Sequence, residues 1–322
     1  MSGPTAGAPG GSQGGAHGPV VRARVIDNPH SFRGPYPLER VLPTFRAAGW
    51  EVDRVHRTPT GEARRLVDQA LGDGVELLVS AGGDGTLRDL ASAVVGTPLV
   101  LGILPGGTAN VLAHELGIAR RPEWAARLLV TGEERRLDLG RLELPDGRWA
   151  RFALSAGLGL DGAALRATDA GLKRRVGPLA IALGLARSLP GPHRFGLRLL
   201  VDGHEAWEGR TWQVLASNAS HYAVMLRPSP SALPDDGLLD LVIATAAGFG
   251  PLVRLARSLV TGGVPDPAGA RGFSGRVFDL ELDRPVHGQL DGSPLASAVE
   301  GRLRLSIEPS VLRVRLPRVR PA

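Results

Sequence analysis

The chain has 322 residues, 43% hydrophobic and 22% charged, with a formal net charge of +6 and no cysteine. That length suits two globular domains, and the missing cysteines exclude disulfides, thiolate metal centres and a cysteine nucleophile, in accord with a cytoplasmic protein. The positive charge favours anionic partners such as nucleotide phosphates, lipid headgroups or nucleic acid, although an arginine-rich genome would give the same balance.

Residues 1–19 are rich in glycine, with no apolar stretch and no basic start, and read as a disordered tail rather than a signal peptide. From residue 20 to about 133 the pattern alternates: β-rich runs at 20–27, 51–56, 76–80 and 99–104 flank helical patterns at 38–48, 62–71 and 86–95. Strands separated by helices of that length predict an α/β domain with an open, doubly wound, mostly parallel sheet. The uncharged stretch 90–113 is long enough for a membrane span, but Pro98, Gly102, Pro105, Gly106 and Gly107 interrupt it. It reads as helix, strand, loop and helix start, with no transmembrane segment.

After residue 134 short alternating segments dominate, at 136–144, 150–155, 194–201, 211–217, 238–244, 277–282 and 303–307. They predict a mostly antiparallel β-sandwich or barrel over 134–322, whose end returns to the first domain. An apolar helix at 179–189, behind Lys173, Arg174 and Arg175, reads either as a core helix or as a membrane-docking one.

The third strand runs into S-A-G-G-D-G-T at 80–86. Asn28-Pro29, the 82–86 loop and the 105–110 loop each follow a strand, so a parallel sheet gathers all three at one edge, where such sheets bind ligands. The plain reading is a tight turn with Asp84 as a cap. The functional reading is a phosphate cradle of backbone N–H groups and hydroxyls. No G-x-x-x-x-G-K-[ST] loop is present, and no G-x-G-x-x-G follows the first strand, which excludes a Walker-type ATPase and weakens a dinucleotide oxidoreductase. A carboxylate inside a phosphate loop repels phosphate; it makes sense if it holds Mg²⁺ or accepts a proton from an attacking hydroxyl.

These stretches resemble the diacylglycerol kinase catalytic family, in particular its soluble bacterial lipid kinases, with sphingosine and ceramide kinases as more distant relatives. The resemblance rests on D-N-P at 27–29, T-P-T-G-E-A at 58–63, G-G-D-G-T at 82–86, L-P-G-G-T-A-N-V-L-A at 104–113 and L-D-L-G at 137–140. It continues through G-L-G-L-D-G at 157–162, P-S-P-S-A-L-P-D-D-G-L-L-D at 228–240 and Q-L-D-G at 289–292. It implies an ATP-dependent lipid kinase acting on a diacylglycerol-like lipid at a membrane surface. Nucleic acid has no part in it, and a homodimer through sheet edges is compatible with it.

By the same resemblance Asn28, Pro29, Thr58, Gly82, Gly83, Asp84, Gly85, Thr86, Gly107, Thr108 and Asn110 surround the nucleotide. Asp84 lies near the γ-phosphate and Mg²⁺, and in the sphingosine kinase branch the aspartate of this loop takes the substrate proton. The P-D-D-G turn resembles a structural Mg²⁺ site with the Asp236 carboxylate and the Leu233 and Leu238 carbonyls as ligands, a donor set that suits a hard cation. A simple Asp-Asp-Gly turn is the alternative.

The sequence departs from the family at three places. Ser293 stands where D-G-E relatives carry the glutamate taken as general base, and a hydroxyl is no base at neutral pH without its own activator. Val111 replaces an aspartate, and Asp89 replaces a glutamate. Either Asp84 or Asp291 then takes the catalytic base role, or transfer through a loose transition state needs little base help, or the protein is a weak or inactive binder of nucleotide and lipid. NAD kinase is a further alternative, because it shares the G-G-D-G loop, although its second loop normally carries an Asn-Glu pair.

Overall fold

A computed structural model describes residues 21–29, 36–57, 62–167, 194–222, 226–245 and 269–318. The first domain comprises the parallel strands β1 (Arg22–Asp27), β2 (Glu51–His56), β3 (Leu77–Gly82) and β4 (Val100–Pro105). Helices α1 (Leu42–Ala47), α2 (Ala63–Gly72) and α3 (Asp84–Val94) alternate with them, and α4 (Val111–Glu115) and α5 (Pro122–Thr131) follow. All six residues of β3 are buried, as a strand covered on both faces requires. Helix α2 buries Ala63, Leu66, Val67 and Ala70, and α3 buries Leu87, Leu90, Ala91 and Val94, each at helical spacing along one stripe.

The second domain is antiparallel. Strands β5 (Glu133–Glu143), β6 (Trp149–Phe152), β7 (Ser155–Gly159), helix α6 (Leu160–Ala167) and strands β8 (Phe195–Val201), β9 (His204–Thr211), β10 (Gln213–Ser217) and β11 (Leu239–Ala244) come first. Strands β12 (Ala270–Gly275), β13 (Val277–Val286), β14 (Gly288–Leu290), β15 (Ser293–Pro294) and β16 (Val299–Leu316) complete it. One face of the sandwich has the order β12-β11-β10-β7-β14-β15. The other belongs to a ten-stranded sheet, β2-β1-β3-β4-β16-β13-β8-β9, with β5 and β6 branching from β16. Burial alternates along β11, as expected of a strand with one face on the core.

The eighteen-residue β16 carries that sheet from one domain into the other, pairing antiparallel with β13 and β5 and parallel with β4 at Val314 and Leu101. Leu312, Val314 and Leu316 lie in the aliphatic core of the first domain, whereas Leu303, Leu305 and Ile307 pack with Phe152, Phe195 and Phe278 in the sandwich.

Several local expectations change. The segment expected as one strand at 150–155 divides into β6 and β7, because the N–H groups of Ala153 and Leu154 are taken by the Asp291 carboxylate and not by a strand neighbour. The helix expected at 38–48 is a 3-10 turn, Leu38–Arg40, followed by α1. The polar edge strand β9 and the short strands β12, β14 and β15 carry too little apolar alternation to be read from sequence. Thr58, the tail at 1–19 and the 179–189 helix lie outside the described residues.

Candidate functional site

The loops after β1, β3 and β4 meet at the carboxyl edge of the sheet. Asn28 donates its backbone N–H to Ala81 (3.2 Å), Gly106 donates to Gly82 (2.8 Å), and the Asn28 amide reaches the Thr86 hydroxyl (3.0 Å). Gly83 caps α3 in an extended conformation with no side-chain cap, which sets the N-terminus of α3 directly after the glycine loop. Gly107 packs on Gly83 so closely that a Cβ on Gly107 would sit 2.4 Å from the Gly83 Cα. Two backbones touch there because neither residue has a side chain.

Asn110 shapes the second loop. It adopts a left-handed conformation (φ 52°), and its amide accepts the N–H of Gly107 (2.8 Å) and donates to the same residue's carbonyl (2.7 Å). Thr108 is exposed, and its carbonyl accepts from Arg120 (2.6 Å). Pro29 follows Asn28 in the loop after β1 and is half-buried. These contacts bring Asn28, Gly82, Gly83, Asp84, Thr86, Gly107 and Asn110 together at the sheet edge, with Pro29, Gly85 and Thr108 next to them in the chain, and the small residues leave room for a ligand to approach the main chain.

Asp84 is the first residue of α3, and its carboxylate turns toward α4, accepting the N–H of Leu112 at 3.4 Å. Burial pushes the Asp84 carboxyl above its ordinary value, and the N–H groups of Leu112, Val111 and Asn110 hold it back. One turn along α3, Arg88 bonds Asp89 and donates to the carbonyl of Leu290 (3.1 Å), so α3 carries the glycine loop to the Q-L-D-G turn of the second domain. Asp89, shorter than the family's glutamate, sits between Arg57 and Arg88.

Asp291 occupies the tip of that turn in a left-handed conformation (φ 47°). Its carboxylate accepts three backbone N–H groups, from Ala153 (2.8 Å), Leu154 (2.8 Å) and Ser155 (3.0 Å). Burial raises its carboxyl, with the three N–H groups opposing. Both oxygens are engaged, an arrangement that fixes the turn bearing Ser293.

Around these turns, sequence reasoning misses Glu115 and the contacts that Gln289 and His221 make. Gln289, fully buried, accepts the N–H of Gly292 (2.7 Å) and donates to Asp161 (3.2 Å), which also receives the Tyr222 hydroxyl (3.3 Å). A Cβ on Gly157 would lie 1.9 Å from an Asp161 oxygen, so the glycines of G-L-G-L-D-G make room for that carboxylate. Glu115 and His221 form a dyad between α4 and the loop after β10, with Nδ1 2.5 Å from the Glu115 carboxylate. Their partners lie more than a hundred residues apart, and nothing in the local pattern marks them.

The P-D-D-G turn is held separately. Asp138 of L-D-L-G accepts the N–H groups of Gly237 (2.7 Å) and Ser310 (2.7 Å), and Asp235 pairs with Arg135 (2.7 Å). Asp236 accepts the N–H of Leu238 (2.9 Å), and its other oxygen has no protein partner among the described residues. Burial and then the neighbouring Asp240, Asp138 and Asp235 push its carboxyl upward. Leu233 and Leu238 are exposed. No three His, Asp or Glu side chains converge as a metal cage among the described residues, but a site of one carboxylate and two carbonyls needs no such group.

Comparison with known proteins accords with this geometry. Residues 22–142 match the family "Diacylglycerol kinase catalytic domain", and residues 154–316 match the "YegS C-terminal NAD kinase beta sandwich-like domain". A protein of Xanthomonas oryzae pv. oryzae named "Probable lipid kinase YegS-like" is 32% identical over 294 residues, covering 87% of this chain and 91% of its own. One of the same name from Pseudomonas fluorescens is 34% identical over 280 residues, covering 86% and 89%. Among solved structures, a diacylglycerol kinase from Bacillus anthracis aligns over 94% of this chain and 98% of its own, with a TM-score of 0.70 at 17% identity. An NAD kinase from Archaeoglobus fulgidus in complex with ATP aligns over 93% and 95%, with a TM-score of 0.51 at 14% identity. The chain belongs to the diacylglycerol kinase catalytic family and is an ATP-dependent phosphotransferase of the YegS-like lipid kinase kind.

Proposed function

We propose that the protein transfers the γ-phosphate of ATP to the hydroxyl of a diacylglycerol-like lipid. The observation that carries this reading is the side-chain-free contact of Gly83 with Gly107 at the start of α3. It leaves a polyphosphate room to approach the main chain at the N-terminus of α3. Residues 20–133 serve the nucleotide and 134–322 the lipid. Asn28, Pro29, Thr58, Gly82, Gly83, Gly85, Thr86, Gly107, Thr108 and Asn110 line the nucleotide, and Asp84 lies near the γ-phosphate and its Mg²⁺.

Mg²⁺, when bound, neutralises charge on the transferring phosphate. The α3 N-terminus orients the phosphates, and Asn110 fixes the loop that closes over them. Asp291, with its carboxylate held by three N–H groups, sets the position of the turn on the lipid side. The Asp236 carboxylate and the Leu233 and Leu238 carbonyls would hold a second Mg²⁺, which would brace the P-D-D-G turn. The lipid is met at a membrane surface from the cytoplasm, by a single chain or a homodimer; no helix among the described residues is long and apolar enough to cross a membrane.

The test is transfer of labelled γ-phosphate, with Mg²⁺, onto diacylglycerol, monoacylglycerol, ceramide, sphingosine and phosphatidylglycerol in mixed micelles, with NAD as a separate acceptor. A labelled lipid that disappears in Asp84→Ala is the expected result. Labelled NADP in place of any lipid product would overturn the reading. Retained ATP binding without turnover would instead favour the non-catalytic binder that Ser293 suggests.

A further inference from the structure

Asp84 and Asp291 both direct their carboxylates at backbone N–H groups, and Ser293 cannot act alone as a base. A differently built candidate stands on α4, the helix that leaves the second glycine loop. Leu112 of α4 holds Asp84, and one turn further on Glu115 ends the helix. The Glu115 side chain is 9% exposed and has no arginine or lysine partner among the described residues. It accepts the Ser220 hydroxyl (3.2 and 3.1 Å), the backbone N–H of His221 (3.1 Å) and His221 Nδ1 (2.5 Å).

A carboxylate only accepts, so Nδ1 carries a proton toward Glu115, and Nε2 is the nitrogen left to take up a substrate proton. Nε2 has no hydrogen-bond partner among the described residues, and the ring is 22% exposed. The His114 ring lies edge-on at 4.8 Å, and the next residue, Tyr222, bonds Asp161. Asp161 and Gln289 lead to the N–H of Gly292, in the turn that holds Ser293. The imidazole therefore stands between the helix of the phosphate loop and the polar cluster on the lipid side. A base oriented by a carboxylate through its other nitrogen is the arrangement that proton abstraction requires.

We infer that His221, oriented by Glu115, accepts the proton of the lipid hydroxyl in place of the glutamate that Ser293 replaces; the inference rests on the lipid kinase reading above. The hydroxyl O–H bond breaks as its oxygen bonds the γ-phosphorus, and the proton passes to Nε2. The bond from the γ-phosphorus to the bridging oxygen breaks and ADP leaves. Glu115 stabilises the imidazolium until the proton passes to solvent. Among the described residues, the charged or titratable groups against the ring are Glu115 and His114, both from α4, and Tyr222, next along the loop, bonds Asp161 of α6.

The test is His221→Asn, whose amide keeps the donor toward Glu115 but has no nitrogen at the Nε2 position. The expected result is a fall in kcat of about a hundredfold or more, with KM for ATP and lipid unchanged and the ascending limb of the pH–rate profile lost. Added imidazole should restore part of the turnover of His221→Ala, and Glu115→Gln should lower kcat with KM unchanged. Parent-like kcat in a folded His221→Asn overturns the proposal. So does loss of thermal stability and raised KM with an unchanged pH profile, the mark of a mere latch between domains. A parent enzyme that phosphorylates no lipid refutes the kinase reading itself, and it is told apart by the parent arm alone.

Discussion

Gly107→Ala is the sharpest probe of the cradle. An added Cβ would meet the Gly83 Cα at 2.4 Å, the Asn110 Oδ1 at 3.0 Å and the Gly83 N at 3.3 Å. Two of these atoms are backbone, and the third is held by its bonds to Gly107 itself, so relief requires the loops to part by roughly 1 Å, the shortfall from ordinary van der Waals contact. Overpacking of this kind costs about 1–3 kcal/mol, or a thermal midpoint lowered by about 2–10 °C for a domain of ordinary size. A displacement of about 1 Å at a phosphate site costs about a hundredfold in rate. Gly85→Ala is the contrast: its Cβ meets nothing within 4 Å, and it lies in the first turn of α3. Alanine there gains about 1 kcal/mol of helix propensity and yet intrudes on bound phosphate. Melting curves and ATP titrations of both variants should therefore diverge, Gly107→Ala losing stability and affinity together and Gly85→Ala losing affinity alone. If Gly107→Ala melts and binds ATP like the parent, the packed-loop account is refuted.

Burial holds the Asp84 carboxyl above its unfolded value, so between those two values the folded protein binds more protons and stability falls as pH rises through that window. Asp84→Asn removes this ionisation and should melt no lower than the parent at neutral pH while transferring far less phosphate; a lower midpoint there, read by calorimetry, contradicts this. Asp291→Ala strips the acceptor from three backbone N–H groups and should cost at least about 3 kcal/mol, with Asp291→Asn intermediate; denaturant midpoints close to the parent would exclude a clamping role. Mg²⁺ should raise the melting temperature of the parent but not that of Asp236→Asn when nucleotide is absent, and equal shifts in both would remove the metal from that turn.

The parallel sheet and its glycine loops were legible because their signals are local: an apolar run, then glycines, then a helical stripe. The antiparallel half was less so. The segment at 150–155 looks like one strand, and it is broken by a carboxylate 137 residues away, Asp291, which takes the N–H of Leu154. Strand β9 alternates weakly because it is an exposed sheet edge. The motif residues Asp84, Asp138, Asp161 and Asp291 could be picked out as motif members, but what each carboxylate faces is decided by chain-distant partners. The Glu115–His221 pair shows the same limit, since neither residue belongs to a recognisable pattern until the loop after β10 folds onto α4.

The way the two domains share β16 explains why such distant carboxylates can work together. A strand passing from a sandwich into an α/β sheet must change its twist and partners, and the change falls at Ser310, a left-handed residue (φ 54°) beside the register shift between Glu308 and Leu312. The N–H of Ser310 would be orphaned by this bulge were it not accepted by Asp138, whose other oxygen holds Gly237 of the P-D-D-G turn. One carboxylate thus fixes both the crossing strand and the turn that precedes β11. Asn218 extends the clamp by donating to the carbonyls of Asp138 and Ala153, and Ala153 is one of the three residues whose N–H groups hold Asp291. From Asp291 the neighbouring Leu290 carbonyl reaches Arg88 and so α3, one turn from Asp84. The L-D-L-G, P-D-D-G, Q-L-D-G and G-G-D-G stretches, scattered over two hundred residues, are therefore successive links of one hydrogen-bonded chain, and their order in the sequence carries no trace of that adjacency.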